Sequence, residues 1–136
     1  SVLEESLTRL FTHFSDTMAR VDYIVPIPLH KKRYAARGFN QAHTIAKVVA
    51  KSSRKPMVLP LVRIRNTKQQ ALLQKEERKT NIINAFSVVP DSSIFGKHML
   101  LVDDVYTTGA TMNECAKVLS AAGAQSVSGF VLAKGE

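Results

Sequence analysis

An α/β fold, an open parallel sheet flanked by helices, is the class this sequence predicts, on three observations. Short apolar runs at 23–27 and 99–102 lack polar alternation, as strands buried on both faces do. Helical patterns stand between such runs: Phe39, Ala42, Ile45, Ala46 and Val49 recur on one face, and Met112, Cys115, Ala116 and Leu119 on another. A length of 136 residues, 45% of them hydrophobic, suits one compact domain and is short for two. Strand and helix alternating in this way build a parallel sheet.

The elements follow in order. Leu3, Leu7, Leu10, Phe11, Phe14 and Met18 keep helical spacing, so an amphipathic helix covers the sheet and ends near Arg20. Residues 23–27 form a buried strand whose end Pro26 and Pro28 hold extended. The next loop carries Lys31, Lys32, Arg33 and Arg37, four positive charges in seven positions, before Gly38 and Asn40, a ready N-cap. Residues 57–64 read as a strand that Pro60 assigns to an edge or a bulge. Residues 63–73 are polar and without period, and 75–81 pair opposite charges at helical spacing. Residues 85–89 resume as a strand, 91–96 turn, Gly123 stops the last helix, and 126–132 close the sheet.

The chemistry concentrates after the 99–102 run, where Asp103 and Asp104 end a strand and Tyr106, Thr107, Thr108, Gly109, Ala110 and Thr111 lead into a helix. Such a strand–loop–helix unit suits a phosphate. The helix start supplies N–H groups and a positive dipole end, Gly109 permits close backbone approach, and the threonines add donors. Two carboxylates beside a phosphate need something between: sugar hydroxyls that donate to them, a divalent cation, or both. Phosphate, ribose and Mg²⁺ together are the inference, with Asp103 and Asp104 as catalytic residues and as Mg²⁺ ligands, directly or through water. Neighbours on a strand face opposite sides, so one aspartate meets the sugar and the other holds the loop or the metal. The chain has neither G-x-G-x-x-G nor G-x-x-x-x-G-K-[ST], which argues against dinucleotide and P-loop chemistry.

The acidic pair with Thr107-Thr108-Gly109-Ala110-Thr111 resembles the phosphoribosyl pyrophosphate (PRPP) motif of type I phosphoribosyltransferases. Val25-Pro26-Ile27-Pro28-Leu29-His30, Arg37-Gly38-Phe39-Asn40-Gln41 and Arg78-x-x-Asn81 narrow the likeness to the ComF/GntX family. That resemblance implies a type I phosphoribosyltransferase-like, Rossmann-like fold and a link to DNA uptake in competent bacteria. It also makes the long segment after residue 63 a lid over the reactive sugar, with Arg65, Lys68, Gln70 and Arg78 in it. The family often carries an N-terminal zinc-binding segment with paired cysteines, and these residues contain none; Cys115 is the single cysteine and reads as packing.

Parallel strands present their carboxyl ends at one edge, so the basic loop and the aspartates form two halves of one site, with Lys31, Arg33 and Arg37 against the pyrophosphate. Residues 31–37 and 63–79 together hold ten of the nineteen basic residues. A net charge of +8 and a pI near 9.9 point to polyanionic company. The expected partners are PRPP or a related phosphorylated ribose, with DNA and other competence proteins beside it. No run nears ~20 apolar residues, so membrane insertion is not expected and a cytoplasmic location is. The functional expectation is a phosphoribosyltransferase; the alternative is a non-catalytic nucleotide- or DNA-binding module of the same fold.

Overall fold

Strand β4, His98–Tyr106, is the axis of the fold. The computed structural model describes residues 15–29, 40–65, 82–106 and 109–134. Around β4 the chain runs α1 (Ser15–Ala19), β1 (Tyr23–Pro26), α2 (Gln41–Ser53), β2 (Leu61–Arg63), β3 (Phe86–Val88), α3 (Ala110–Ala121) and β5 (Ser126–Lys134). The order β1-β4-β5 is parallel throughout, with Pro26 beside Val102 and Asp103 beside Val131. This is the open parallel sheet expected from the sequence.

The continuous apolar run of β4 is split by the strand's period of two between two cores. Met99 and Leu101 join Val25, Ile27, Cys115 and Leu119 under α3. Leu100 and Val102 join Ile24, Ile45, Ala46, Val49 and Met18 under α1 and α2. Covering on both faces is why no polar residue interrupts the run until Asp103. Cys115 is fully buried, as a packing residue should be.

The ends of α3 are set by glycine. Gly123 adopts φ +103°, donates to the Ser120 carbonyl at 3.0 Å, and lets Ala124 donate to Leu119 at 3.1 Å. This paired closure satisfies carbonyls the helix leaves open.

One expectation is corrected. Residues 57–64 do not form one strand of the main sheet. The Ile24 N–H donates to the Pro56 carbonyl at 2.9 Å and the Val58 N–H to the Ile24 carbonyl at 2.9 Å, so residues 56–58 run beside β1 for one bridge only. Pro60 has no N–H to continue that ladder. The chain turns away, and β2 pairs antiparallel with β3, Leu61 opposite Val88 and Arg63 opposite Phe86. Among the described residues, no helix is long and apolar enough to cross a membrane.

Candidate functional site

The carboxyl edge of the parallel sheet gathers the ends of β1 and β4 and the start of α3. Asp103 continues the Met99–Leu101 side of β4 by alternation, and Asp104 takes the opposite side. The aspartates do not end the strand as expected: β4 runs on to Tyr106, with Val105 beside Ala133, and within it the Asp104 N–H donates to Asp103 Oδ1 at 2.8 Å, fixing the first carboxyl. Burial, then the hydrogen bond and charge of the Asp104 carboxyl, push Asp103 from 3.8 up to about 8, against the pull of the Arg63 guanidinium. Without a ligand, Asp103 therefore holds a proton at neutral pH. A cation or a set of donating hydroxyls would favour its carboxylate form.

Gly109 is the N-cap of α3 at φ +82°, with no side-chain cap bond, and its carbonyl accepts from the Asn113 N–H at 2.8 Å. A side chain is strained in that backbone conformation. The first turn of α3, with Ala110 and the half-buried Thr111, begins beside the end of β4. The positive dipole end of a helix start favours an anion.

The β1 end is tied to the same edge by Asn40. Its Oδ1 accepts from the Ala42 N–H at 3.0 Å as the N-cap of α2, and its Nδ2 donates to the Ile27 carbonyl at 3.0 Å. The Ile27 N–H in turn donates to the Val102 carbonyl at 2.9 Å. Asn40 is thereby tied through Ile27 to the strand that carries the aspartates. The capping role of Asn40 was legible in sequence; the tie to Ile27 was not.

Arg63 and Glu114 are the residues that sequence reasoning misplaced or passed over. Arg63 was counted with the charges around the cleft, yet it is 8% exposed, with its guanidinium carbon 4.7 Å from the centre of the Phe86 ring. From β2 it acts electrostatically on Asp103, under the sheet rather than from solvent. Glu114, also 8% exposed, accepts from the Asn84 N–H at 3.1 Å and joins α3 to the approach to β3. A charge inside an otherwise apolar helix face was the signal available for Glu114. For Arg63 the local pattern gave no such signal: apolar neighbours on both sides in a strand point a residue outward.

Of the expected site residues, the structure brings Asp103, Asp104, Gly109, Ala110 and Thr111 to this edge, and Tyr106 ends β4 there. Arg65 is exposed and donates to the Ile83 carbonyl, joining the two ends of the segment between β2 and β3. Thr107 and Thr108, the pyrophosphate candidates Lys31, Arg33 and Arg37, and the remaining lid candidates Lys68, Gln70 and Arg78 lie outside the described residues.

Comparison with known proteins agrees with this geometry. A family model described as the phosphoribosyl transferase domain matches residues 35–136, and the chain belongs to that family. Within it the chain is similar to ComF-type proteins. The competence protein ComFC of Bacillus subtilis is 36% identical over 134 residues, covering 94% of this chain and 53% of that protein. The DNA utilization protein YhgH of Escherichia coli is 36% identical over 114 residues, covering 83% of this chain and 49% of that protein. The chain thus spans about half the length of the curated relatives it matches. Among solved structures, the B. subtilis glutamine phosphoribosylpyrophosphate (PRPP) amidotransferase complexed with ADP and GMP aligns at a TM-score of 0.62 and 20% identity, over 96% of this chain and 26% of that one. That likeness shows the fold.

Proposed function

We propose that the carboxyl edge of the sheet binds PRPP or a related phosphorylated ribose together with Mg²⁺, and that the chain is a phosphoribosyltransferase serving DNA uptake or utilization. The observation that carries this reading is the meeting of two neighbouring carboxyls near the end of β4, Asp103 and Asp104, with the start of α3 behind Gly109. The 5′-phosphate sits on the α3 start and the Thr111 hydroxyl. Ribose hydroxyls donate to the Asp103 or Asp104 carboxylate. Lys31, Arg33 and Arg37 offset the pyrophosphate charge.

An all-oxygen pair of carboxylates fits Mg²⁺, which binds through one or two carboxylates, water and phosphate oxygens. When bound, the cation would neutralise the leaving pyrophosphate. In the transfer itself the bond from C1 to pyrophosphate breaks, a bond from C1 to the acceptor forms, and the acceptor loses its proton. The chain's residues orient the sugar, exclude water and stabilise the departing charge.

The names of the relatives favour one second reading, a non-catalytic module that holds a nucleotide or DNA on the same fold. Pyrophosphate release separates the two. Incubation with Mg²⁺–PRPP and a panel of base and amine acceptors should release pyrophosphate, and Asp103→Asn/Asp104→Asn should abolish the release. Absence of turnover combined with retained DNA affinity in the double variant would favour the binding module.

A further inference from the structure

The opposite edge of the sheet, where the strands begin, holds a cavity of about 450 Å³ lined by Thr17, Arg20, Val21, His98, Ser126 and Ser128. Its composition follows from register. His98 opens β4 and faces Ser126, which opens β5, and Ser128 returns to the same side of β5 two residues on. Thr17 and Arg20 come from α1 and its closing turn, three residues apart. His98 lies five residues before Asp103, which at the rise of a strand separates the two edges by about 16 Å.

The lining is a donor set. His98 Nδ1 and Ser126 Oγ are 2.6 Å apart, so whichever of the two donates within the pair, the ring's Nε2–H or the serine hydroxyl is left to donate outward. Arg20 is exposed, and its backbone N–H donates to the Thr17 carbonyl at 3.2 Å, which sets the turn without using the guanidinium. The nearby carboxylate is turned to backbone: Asp22 Oδ2 accepts from the His98 N–H at 2.8 Å, and the Asp22 N–H donates to the His98 carbonyl at 2.8 Å. No carboxylate is among the described residues that line the cavity.

Further cations share this edge. The Ile24 N–H bond to Pro56 puts Arg54 and Lys55 beside the start of β1, and Lys97, whose carbonyl accepts from the Gln125 N–H at 2.8 Å, directly precedes β4. These lie outside the two basic segments assigned to the ribose site. Among the described residues of this edge, Arg20, Arg54, Lys55 and Lys97 outnumber the single carboxylate of Asp22, and such an excess of positive charge raises the local concentration of anions.

We propose that this cavity is a second phosphate-binding site, taking one phosphate group of a nucleotide or of a nucleic-acid backbone on Arg20, His98 and the hydroxyls of Ser126 and Ser128. A guanidinium forks two phosphate oxygens, and the hydroxyls satisfy the remaining acceptors. The volume falls in the range of small-ligand sites and exceeds a bare phosphate, leaving room for the sugar or strand that carries it. Val21 is the one apolar residue among the described lining.

The test titrates the 136-residue chain with inorganic phosphate, with dAMP and with a thymidine oligonucleotide, following the side-chain NMR resonances of His98, assigned by their loss in His98→Asn. The His98 resonances should move with dAMP or with the oligonucleotide, and Arg20→Ala should weaken that ligand about tenfold, the scale of a charge-assisted bond. Ser128→Ala should weaken it less, and Thr111→Val, at the other edge, should leave it unchanged. Movement with dAMP assigns the phosphate to a nucleotide; movement with the oligonucleotide alone assigns it to a backbone. A His98 signal indifferent to all three probes, or Arg20→Ala binding as tightly as wild type, would overturn the proposal.

Discussion

Replacing Asp103 by asparagine should make the ligand-free protein more stable at neutral pH and less sensitive to pH. Asp103 is held at about 8 in the folded chain against 3.8 ordinarily, because it is half-buried beside Asp104. Between those values the unfolded chain has lost this proton and the folded chain keeps it. Raising the pH therefore favours unfolding through this window, and the stability present at low pH is lost by the time the folded value is passed. One proton of difference gives a slope of about 1.4 kcal/mol per pH unit, or about 2.7 kcal/mol between pH 5 and pH 7. Asp103 is partly exposed and shares the strand end with a second carboxyl, so about half of that, ~1.5 kcal/mol, is the expected effect. Asparagine keeps an oxygen for the Asp104 N–H and carries no charge to desolvate. Urea unfolding at both pH values in metal-free buffer measures the difference directly. Wild type should lose ~1.5 kcal/mol more than Asp103→Asn between the two. Parallel losses in the two proteins would refute the burial argument.

Other consequences are open to simple measurements. Asn40→Ala removes both the α2 cap and the tie to Ile27, and should cost about 2 kcal/mol in thermal or urea unfolding; Asn40→Asp, able to cap but unable to donate to Ile27, should recover part of it. Gly123→Ala forces a side chain into φ +103° and its Cβ to 2.5 Å from the Phe95 ring, so a loss of about 1–2 kcal/mol is expected, less if the exposed ring swings aside. Cys115 is fully buried and its thiol is pushed well above the ordinary value by that burial, so a thiol reagent should label it in urea and leave the native protein unmodified over the same interval.

Where chemistry and local pattern coincide, the sequence was readable. The β4–α3 unit is contiguous, so a buried run, two carboxylates, a positive-φ glycine and a helix stop appear in the order in which they act. Asn40 was readable as a cap because capping is a matter of two residues. Its second bond, to Ile27, joins positions thirteen apart and exists only once β1 and α2 are docked. The 57–64 stretch misled because its apolar content describes burial and says nothing of partner; Pro60 breaks one ladder and frees the chain for another. Arg63 was the least legible. The alternation predicts Val62 and Ile64 inward, yet they are 39% and 55% exposed while Arg63 is buried. A ring to stack on, supplied by Phe86 of β3 from a distant part of the chain, reverses the local preference.

In the function proposed above, the carboxyl edge of this sheet is a ribose-phosphate site whose aspartates do the recognising. Calorimetric titration of PRPP, with and without Mg²⁺, into wild type and Asp103→Asn/Asp104→Asn tests it most directly. Wild type should show Mg²⁺-dependent binding, accompanied at pH 7 by proton release as Asp103 ionises, and the folded double variant should lose both. Failure of folded wild type to bind PRPP, or equal binding by the double variant, would contradict it.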